Sequence, residues 1–390
     1  MQLLIGMAST HDGLMYTGGI QHAKGTAMRF RGVRAATGAA VTAVVLVLAA
    51  SQAASAAPLP PVGPGWALVL YSTAGMTHRS AADTLYLVAP GGRRYPLARI
   101  PDTDASARLI AWSGDGTRAL AGLPGGAVEQ ITLAGGQMRR VSLPAGVTVL
   151  GYTRPDGLSI LGESTSGGLT TLARYTLGGA LARVLTTWPS SAASAASLVF
   201  GAAALEAPSG TFLVVPGSAA LSLVSNLGGV SGVLPLPVRR GASCAPVRWW
   251  RDGVVLAECS GPGIAGPRLW LVPVSGARPA ALTPQRGENG PDYGDINGWR
   301  FPGGALYLQA LASCGPPFIA RAHRNGTVTP LLIPGVVVAQ AGQWLLTEQA
   351  GGCLGSTSLL WFNPVTQAEL WVFRTPAAEL GVISAAAFVN

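Results

Sequence analysis

From Trp66 onward the chain alternates short apolar runs with glycine-rich polar turns. Trp66-Ala-Leu-Val-Leu-Tyr71, Leu85-Tyr-Leu-Val88, Phe212-Leu-Val-Val215, Leu306-Tyr-Leu308 and Leu359-Leu-Trp-Phe362 are too short for buried helices and are bounded by turn residues. Such runs predict strands covered on both faces. The clearest unit spans Trp112–Leu143. It reads as a hairpin around Asp115-Gly116, a short loop, then a second hairpin around Gly135-Gly136. The first-hairpin turn recurs near Gly116, Gly157, Gly210, Gly253, Gly304 and Gly342, at intervals of 41, 53, 43, 51 and 38 residues. That period matches one four-stranded blade of a radial repeat. The pattern therefore predicts an all-β, seven-bladed β-propeller of four-stranded antiparallel blades over residues 66–390. Glycine recurs because two-residue hairpin turns need positive φ.

The ends of the repeat region complement each other. The first unit lacks a strand before Trp66, while Val382–Phe388 lies beyond the last complete unit. The C-terminal segment is therefore expected to join blade one as its inner strand, which removes a sheet edge that would otherwise invite aggregation.

Ahead of the repeats, Arg29, Arg31 and Arg34 precede an apolar run from Ala39 to Ala50 and the sequence Ala54-Ser55-Ala56. This order is that of a Sec signal peptide over residues 28–56. The run is shorter than the ~20 residues of a membrane span, so membrane association is expected only through an uncleaved signal. Residues 1–27 lack periodicity and carry the only lysine, Lys24; they read as an extension upstream of a true start at Met28. Residues 57–65 form a Pro/Gly-rich segment before the first strand.

Composition changes the picture in one respect. The formal net charge is +9, but only 11% of residues are charged and nearly all the cations are Arg. Abundant Ala, Gly and Pro point to the coding bias of a GC-rich genome of actinobacterial type rather than to anion recognition. An exported chain does not meet the chromosome, so nucleic acid is excluded as a partner.

The run Trp112-Ser-Gly-Asp-Gly-Thr-Arg-Ala-Leu-Ala121 resembles the repeat of TolB-like, WD40-like propellers, with weaker copies at Asp156-Gly157 and Trp250-Arg-Asp-Gly253. The resemblance covers the region from Trp66 to the C-terminus and implies an exported scaffold that binds macromolecules. It departs from TolB in having no α/β domain between leader and propeller, which puts a Tol-system role in doubt.

Cys244, Cys259, Cys314 and Cys353 are an even set in an exported chain, which favours disulfides. Cys244 and Cys259 flank the Arg251-Asp252-Gly253 turn symmetrically, so they face each other across one hairpin. Cys314 and Cys353 both fall between second and third strands of adjacent units. The expected pairing is 244–259 with 314–353, the latter worth ~3–4 kcal/mol through loop closure. Their spacing matches no zinc pattern.

The long connections, Thr73–Asp83, Pro101–Ala107, Ser260–Pro267, Pro284–Asp295 and Gln349–Thr357, are expected on one face, the candidate binding face. The most polar holds Arg286, Glu288, Asp292, Tyr293 and Asp295; His78 and Arg79 lie in another. A calcium site could use these Asp residues with backbone carbonyls, although the spacing is not that of an EF-hand. A solvated turn accounts for the same residues. The tryptophans of first and second strands read as packing between blades. No G-x-S-x-G elbow is present, so no catalytic residues are assigned and no cofactor is required. The sequence favours a monomeric, non-catalytic module binding an envelope protein or glycan outside the cytoplasm. The alternative is a hydrolase or lyase acting on envelope carbohydrate or a lactone through Glu288, Asp292 or Asp295.

Overall fold

The computed structural model describes residues 59–73, 80–103, 107–190, 204–261, 267–284, 295–310, 317–323, 327–350, 356–375 and 381–387, all within one compact unit. Residues 1–27 and the expected leader, 28–56, lie outside the described residues.

The strands follow one another as antiparallel meanders. The first comprises β1 (Ala67–Ser72), β2 (Ser80–Val88) and β3 (Arg94–Thr103). Next come β4 (Arg108–Trp112), β5 (Arg118–Gly122), β6 (Val128–Thr132) and β7 (Met138–Val141), then β8 (Val147–Tyr152), β9 (Ile160–Ser166), β10 (Leu169–Tyr175) and β11 (Leu181–Pro189). They are followed by β12 (Leu205–Glu206), β13 (Phe212–Ser218), β14 (Ala220–Ser225) and β15 (Val230–Pro235), and by β16 (Ser243–Arg251), β17 (Val254–Ser260), β18 (Arg268–Pro273) and β19 (Ala280–Ala281). β20 (Asp295–Arg300), β21 (Leu306–Ala310) and β22 (Phe318–Ala322) lead into β23 (Val328–Ala341). This long strand pairs with β22 at one end and, beyond Gly335, with β24 (Trp344–Ala350). β25 (Ser356–Asn363), β26 (Ala368–Arg374) and β27 (Val382–Ala387) complete the order. The backbone thus runs continuously from one meander into the next.

β27 pairs antiparallel with β1, from Ala67↔Ala387 to Ser72↔Val382. Two further bonds tie β27 down. The Ser384 hydroxyl accepts the Leu109 N–H at 3.1 Å and donates to the Leu109 carbonyl at 3.4 Å, joining β27 to β4. On the other side Glu348 of β24 accepts the Ala385 N–H.

Each sheet is apolar on both faces, which is why its strands read as continuous runs rather than alternations. In β1, Leu68 and Leu70 pack with Leu109, Ala119 and Ile131 of the following meander. Ala67 and Val69 face the other way, onto Leu346, Leu359, Trp361 and Phe373 of β24–β26. The same division recurs farther on, where Leu120 and Val128 meet Val149 and Ile160, and Val214 and Leu221 meet Val255 and Trp270.

The turns follow from local chemistry. The six first-hairpin glycines all adopt positive φ, from 57° to 79°. In the Trp112–Ala121 run, the buried Ser113 hydroxyl donates to Asp115 at 2.5 Å and accepts the Arg118 N–H at 2.9 Å. Asp115 also accepts the Thr117 N–H at 3.0 Å and pairs with the Arg118 guanidinium at 3.0 Å. Partial burial alone would push the Asp115 carboxyl up, but these bonds hold it below its ordinary value. The motif is therefore a self-bonded turn.

The second-hairpin glycines have a further reason that sequence period alone does not reveal: close approach to the preceding sheet. A Cβ on Gly136 would stand 2.1 Å from the Leu97 carbonyl oxygen of β3. One on Gly179 would stand 2.4 Å from Ser142, just beyond β7. Neighbouring Gly135 has φ +97° and nothing within 4 Å of such a Cβ. Gly135→Ala should thus cost only the backbone term, about 1 kcal/mol, whereas Gly136→Ala should cost distinctly more because the sheets must part. Denaturation midpoints of the two variants test this; equal losses would refute the close-packing explanation.

Candidate functional site

The inner strands line an open cavity of about 490 Å³. Its wall combines β4, Val149–Arg154 of β8 and its turn, Ala204–Glu206, Val336–Val338 of β23, Glu348 and Ala385–Ala387 of β27. β4 packs against both β27 and β8, so residues far apart in sequence share this wall.

Its charged groups are Arg108, Arg154, Glu206 and Glu348. Glu206 is buried, 6% exposed. Its carboxylate accepts the Arg154 N–H at 2.7 Å and pairs with the Arg174 guanidinium at 2.7 Å. Burial pushes its pKa up; the Arg154 N–H and the Arg174 and Arg154 charges oppose that rise. The Glu206 carbonyl meanwhile accepts the Trp249 indole N–H at 2.8 Å. Glu206 thereby links β10, β12 and β16. Burial lowers the pKa of Arg154, against the stabilising Glu206 charge.

Glu348 reaches the cavity from β24. It accepts the Ala385 N–H and the Ser356 hydroxyl, the latter at 3.2 Å. Burial pushes its carboxyl up to about 7, with those two bonds and the Arg108 charge opposing the rise. A carboxyl that titrates there can exchange a proton near neutral pH.

Away from the cavity, the Arg248 guanidinium lies 5.0 Å from the Trp250 ring and 5.6 Å from the Trp299 ring. Its Nε donates to Asn297 at 3.0 Å and another nitrogen donates to the Gly298 carbonyl. Burial lowers its pKa to about 10. Trp249, Trp250 and Trp299 thus serve contacts between neighbouring sheets.

Of the residues singled out by sequence, Arg286, Glu288, Asp292, Tyr293, His78 and Arg79 lie outside the described residues. Asp295 stands at the head of β20, 1% exposed. Cys244 and Cys259 form a disulfide, in register across β16 and β17 with Cα atoms 4.1 Å apart. Cys314 and Cys353 lie outside the described residues. Among the described residues no group of three or more His, Cys, Asp and Glu side chains could hold a metal ion. Sequence reasoning missed Glu206, Glu348 and Arg154. The available signal was an acid inside an apolar strand run, as in Trp344-Leu-Leu-Thr-Glu-Gln-Ala350, in a chain poor in acids.

Consecutive antiparallel meanders whose sheets pack face to face through apolar side chains define a β-propeller fold. Three solved structures of low sequence identity are similar to the chain. A puromycin-hydrolysing peptidase of Mycobacterium tuberculosis is 15% identical with a TM-score of 0.50, over 82% of this chain and 52% of the peptidase. TolB from Acinetobacter baumannii is 13% identical with a TM-score of 0.43, over 82% of this chain and 66% of TolB. The C-terminal WD40 domain of Sif2 is 13% identical with a TM-score of 0.44, over 75% of this chain and 77% of that domain. The chain thus spans about half the length of the peptidase, and the likeness is one of fold. No protein-family model and no curated protein sequence matches it.

Glu348 makes stability depend on pH. Its pKa in the fold, about 7, lies above the ordinary 4.5, so the folded state holds the proton more tightly. Its contribution is full below about pH 4.5 and is lost as pH rises through 7. The melting temperature should fall between pH 5 and pH 8, and Glu348→Gln should flatten that slope. An unchanged slope in the variant would show that other groups govern it.

Proposed function

We propose that the chain is an exported, seven-bladed propeller, closed by β27, that works as a non-catalytic binding scaffold in the bacterial cell envelope. The observation that carries this reading is the bonding of the two cavity carboxyls. Glu206 is occupied by Arg174 and the Arg154 N–H, and Glu348 by the Ala385 N–H and Ser356. Both act as ties between strands, and neither stands as half of a free acid–base pair. Closure is supported by the β27–β1 ladder and by the apolar contact between β1 and β24–β26. Export is supported by the leader pattern and by the Cys244–Cys259 disulfide, a bond at home in oxidising compartments.

The ligand face is that of the connections leaving second and fourth strands, and the partner is an envelope protein. A photo-crosslinker at Tyr293, compared with one near Gly136, tests this in the native envelope. One dominant protein adduct at Tyr293 alone is expected; adducts to glycan only, or to nothing, would contradict it. Closure is tested by deleting residues 380–390, which should abolish cooperative unfolding. Unchanged melting of the truncated protein would refute it.

A second reading rests on Glu348 alone. A carboxyl raised to about 7 in a cavity wall suits general acid chemistry on an envelope carbohydrate or lactone. Hydrolysis or elimination of such a substrate, lost in Glu348→Gln with the melting temperature retained, would establish it over the scaffold reading.

A further inference from the structure

The outer edges of three consecutive sheets differ from the rest of the surface. β7, β11 and β15 each end a ladder, so each presents an outer strand edge. They also carry much of the exposed large apolar surface: Leu181 at 55%, Val184 at 50%, Val230 at 56% and Val233 at 59% exposure, with Leu227 at 70% in the turn before β15. A soluble chain ordinarily covers such a concentration of apolar side chains, or uses it.

The surface is continuous. The Arg183 guanidinium donates to the Leu227 carbonyl at 2.7 Å, and the Gly229 N–H donates to the Leu185 carbonyl at 2.8 Å, seating the β14–β15 turn on β11. The Ser142 N–H donates to the Gly178 carbonyl at 3.1 Å, seating the β10–β11 turn on the end of β7.

Its charge is one-sided. The stretches Leu133–Gly146, Leu177–Ser190 and Asn226–Gly241 contain five Arg and no Asp or Glu. The neighbouring ladder strands β6, β10 and β14 contribute a single acid, Glu129, in register with Arg140. Arg139, Arg140 and Arg183 are exposed beside the apolar side chains. The outer strand β26 is different, because its exposed Leu370 stands next to Glu369.

We infer that this rim adsorbs to an anionic lipid surface, with the leucines and valines entering the headgroup boundary and the arginines pairing with lipid phosphate. Exposed aliphatic side chains beside unopposed cations are what interfacial binding requires. A second copy of the chain fits less well, since two such rims would bring like charges together. The proposal does not depend on the ligand proposed above.

The test is flotation of the full chain with vesicles of phosphatidylcholine, with and without 30% phosphatidylglycerol. Any contribution of the leader is common to all variants. Binding to the anionic vesicles should weaken at least tenfold in Arg139→Ser/Arg183→Ser and in Leu227→Ser/Val230→Ser/Val233→Ser. It should stay at the wild-type level in Leu370→Ser, which alters an exposed leucine elsewhere. Melting curves identify any variant that fails to fold or unseats the β14–β15 turn, and the exposed arginine pair supplies the decisive arm. Equal partition onto both vesicle types, or wild-type binding by the arginine variant, would overturn the proposal. So would rim-dependent dimers in sedimentation with no binding to either vesicle.

Discussion

The constraint on which the structure depends is that every sheet is apolar on both faces. A four-stranded meander of this kind cannot expose either side to water at ~25 cal/mol per Å² of apolar surface. It needs a neighbour before it and another after it. Leu68 and Leu70 look one way from β1 while Ala67 and Val69 look the other, and both sets are buried. A linear stack would leave two faces bare. The contact of β1 with β24–β26 covers one such face, as the closed ring proposed above requires.

The polar chemistry is subordinate to this packing. Buried polar groups must find partners, and several here find them on the adjoining sheet. Glu206 reaches Arg174 and its carbonyl holds Trp249; Arg248 reaches Asn297; Ser384 bonds both backbone groups of Leu109. Each is a register pin between sheets that apolar contact alone would let slide. The same economy explains the second-hairpin glycines, whose missing side chains let one sheet's turn rest on the backbone of the preceding sheet.

Much of the fold was legible because its signals are local. The first-hairpin turns are set by two or three residues and recur at a readable period. The β27–β1 pairing followed from a missing strand at one end and a surplus strand at the other, and the Cys244–Cys259 bond from symmetry about one turn. The cavity was not legible. Arg108, Arg154, Glu206 and Glu348 are separated by 46, 52 and 142 positions and meet only because inner strands converge. The polar loop ending at Asp295 attracted attention through composition. The acids described in the cavity wall sit instead within strand runs, where composition looks merely apolar.

The most direct test of the account is the register of β27 against β1. Val69 and Ala385 are partners across that ladder, so cysteines placed at both positions should form a bond found by non-reducing peptide mapping, without lowering the melting temperature. The account predicts that bond and none in the control pairing Val69→Cys with Ser384→Cys, where the side chains point to opposite faces. No bond in the first pair, or equal bonding in both, would contradict the placement of the C-terminal strand on which the ring depends.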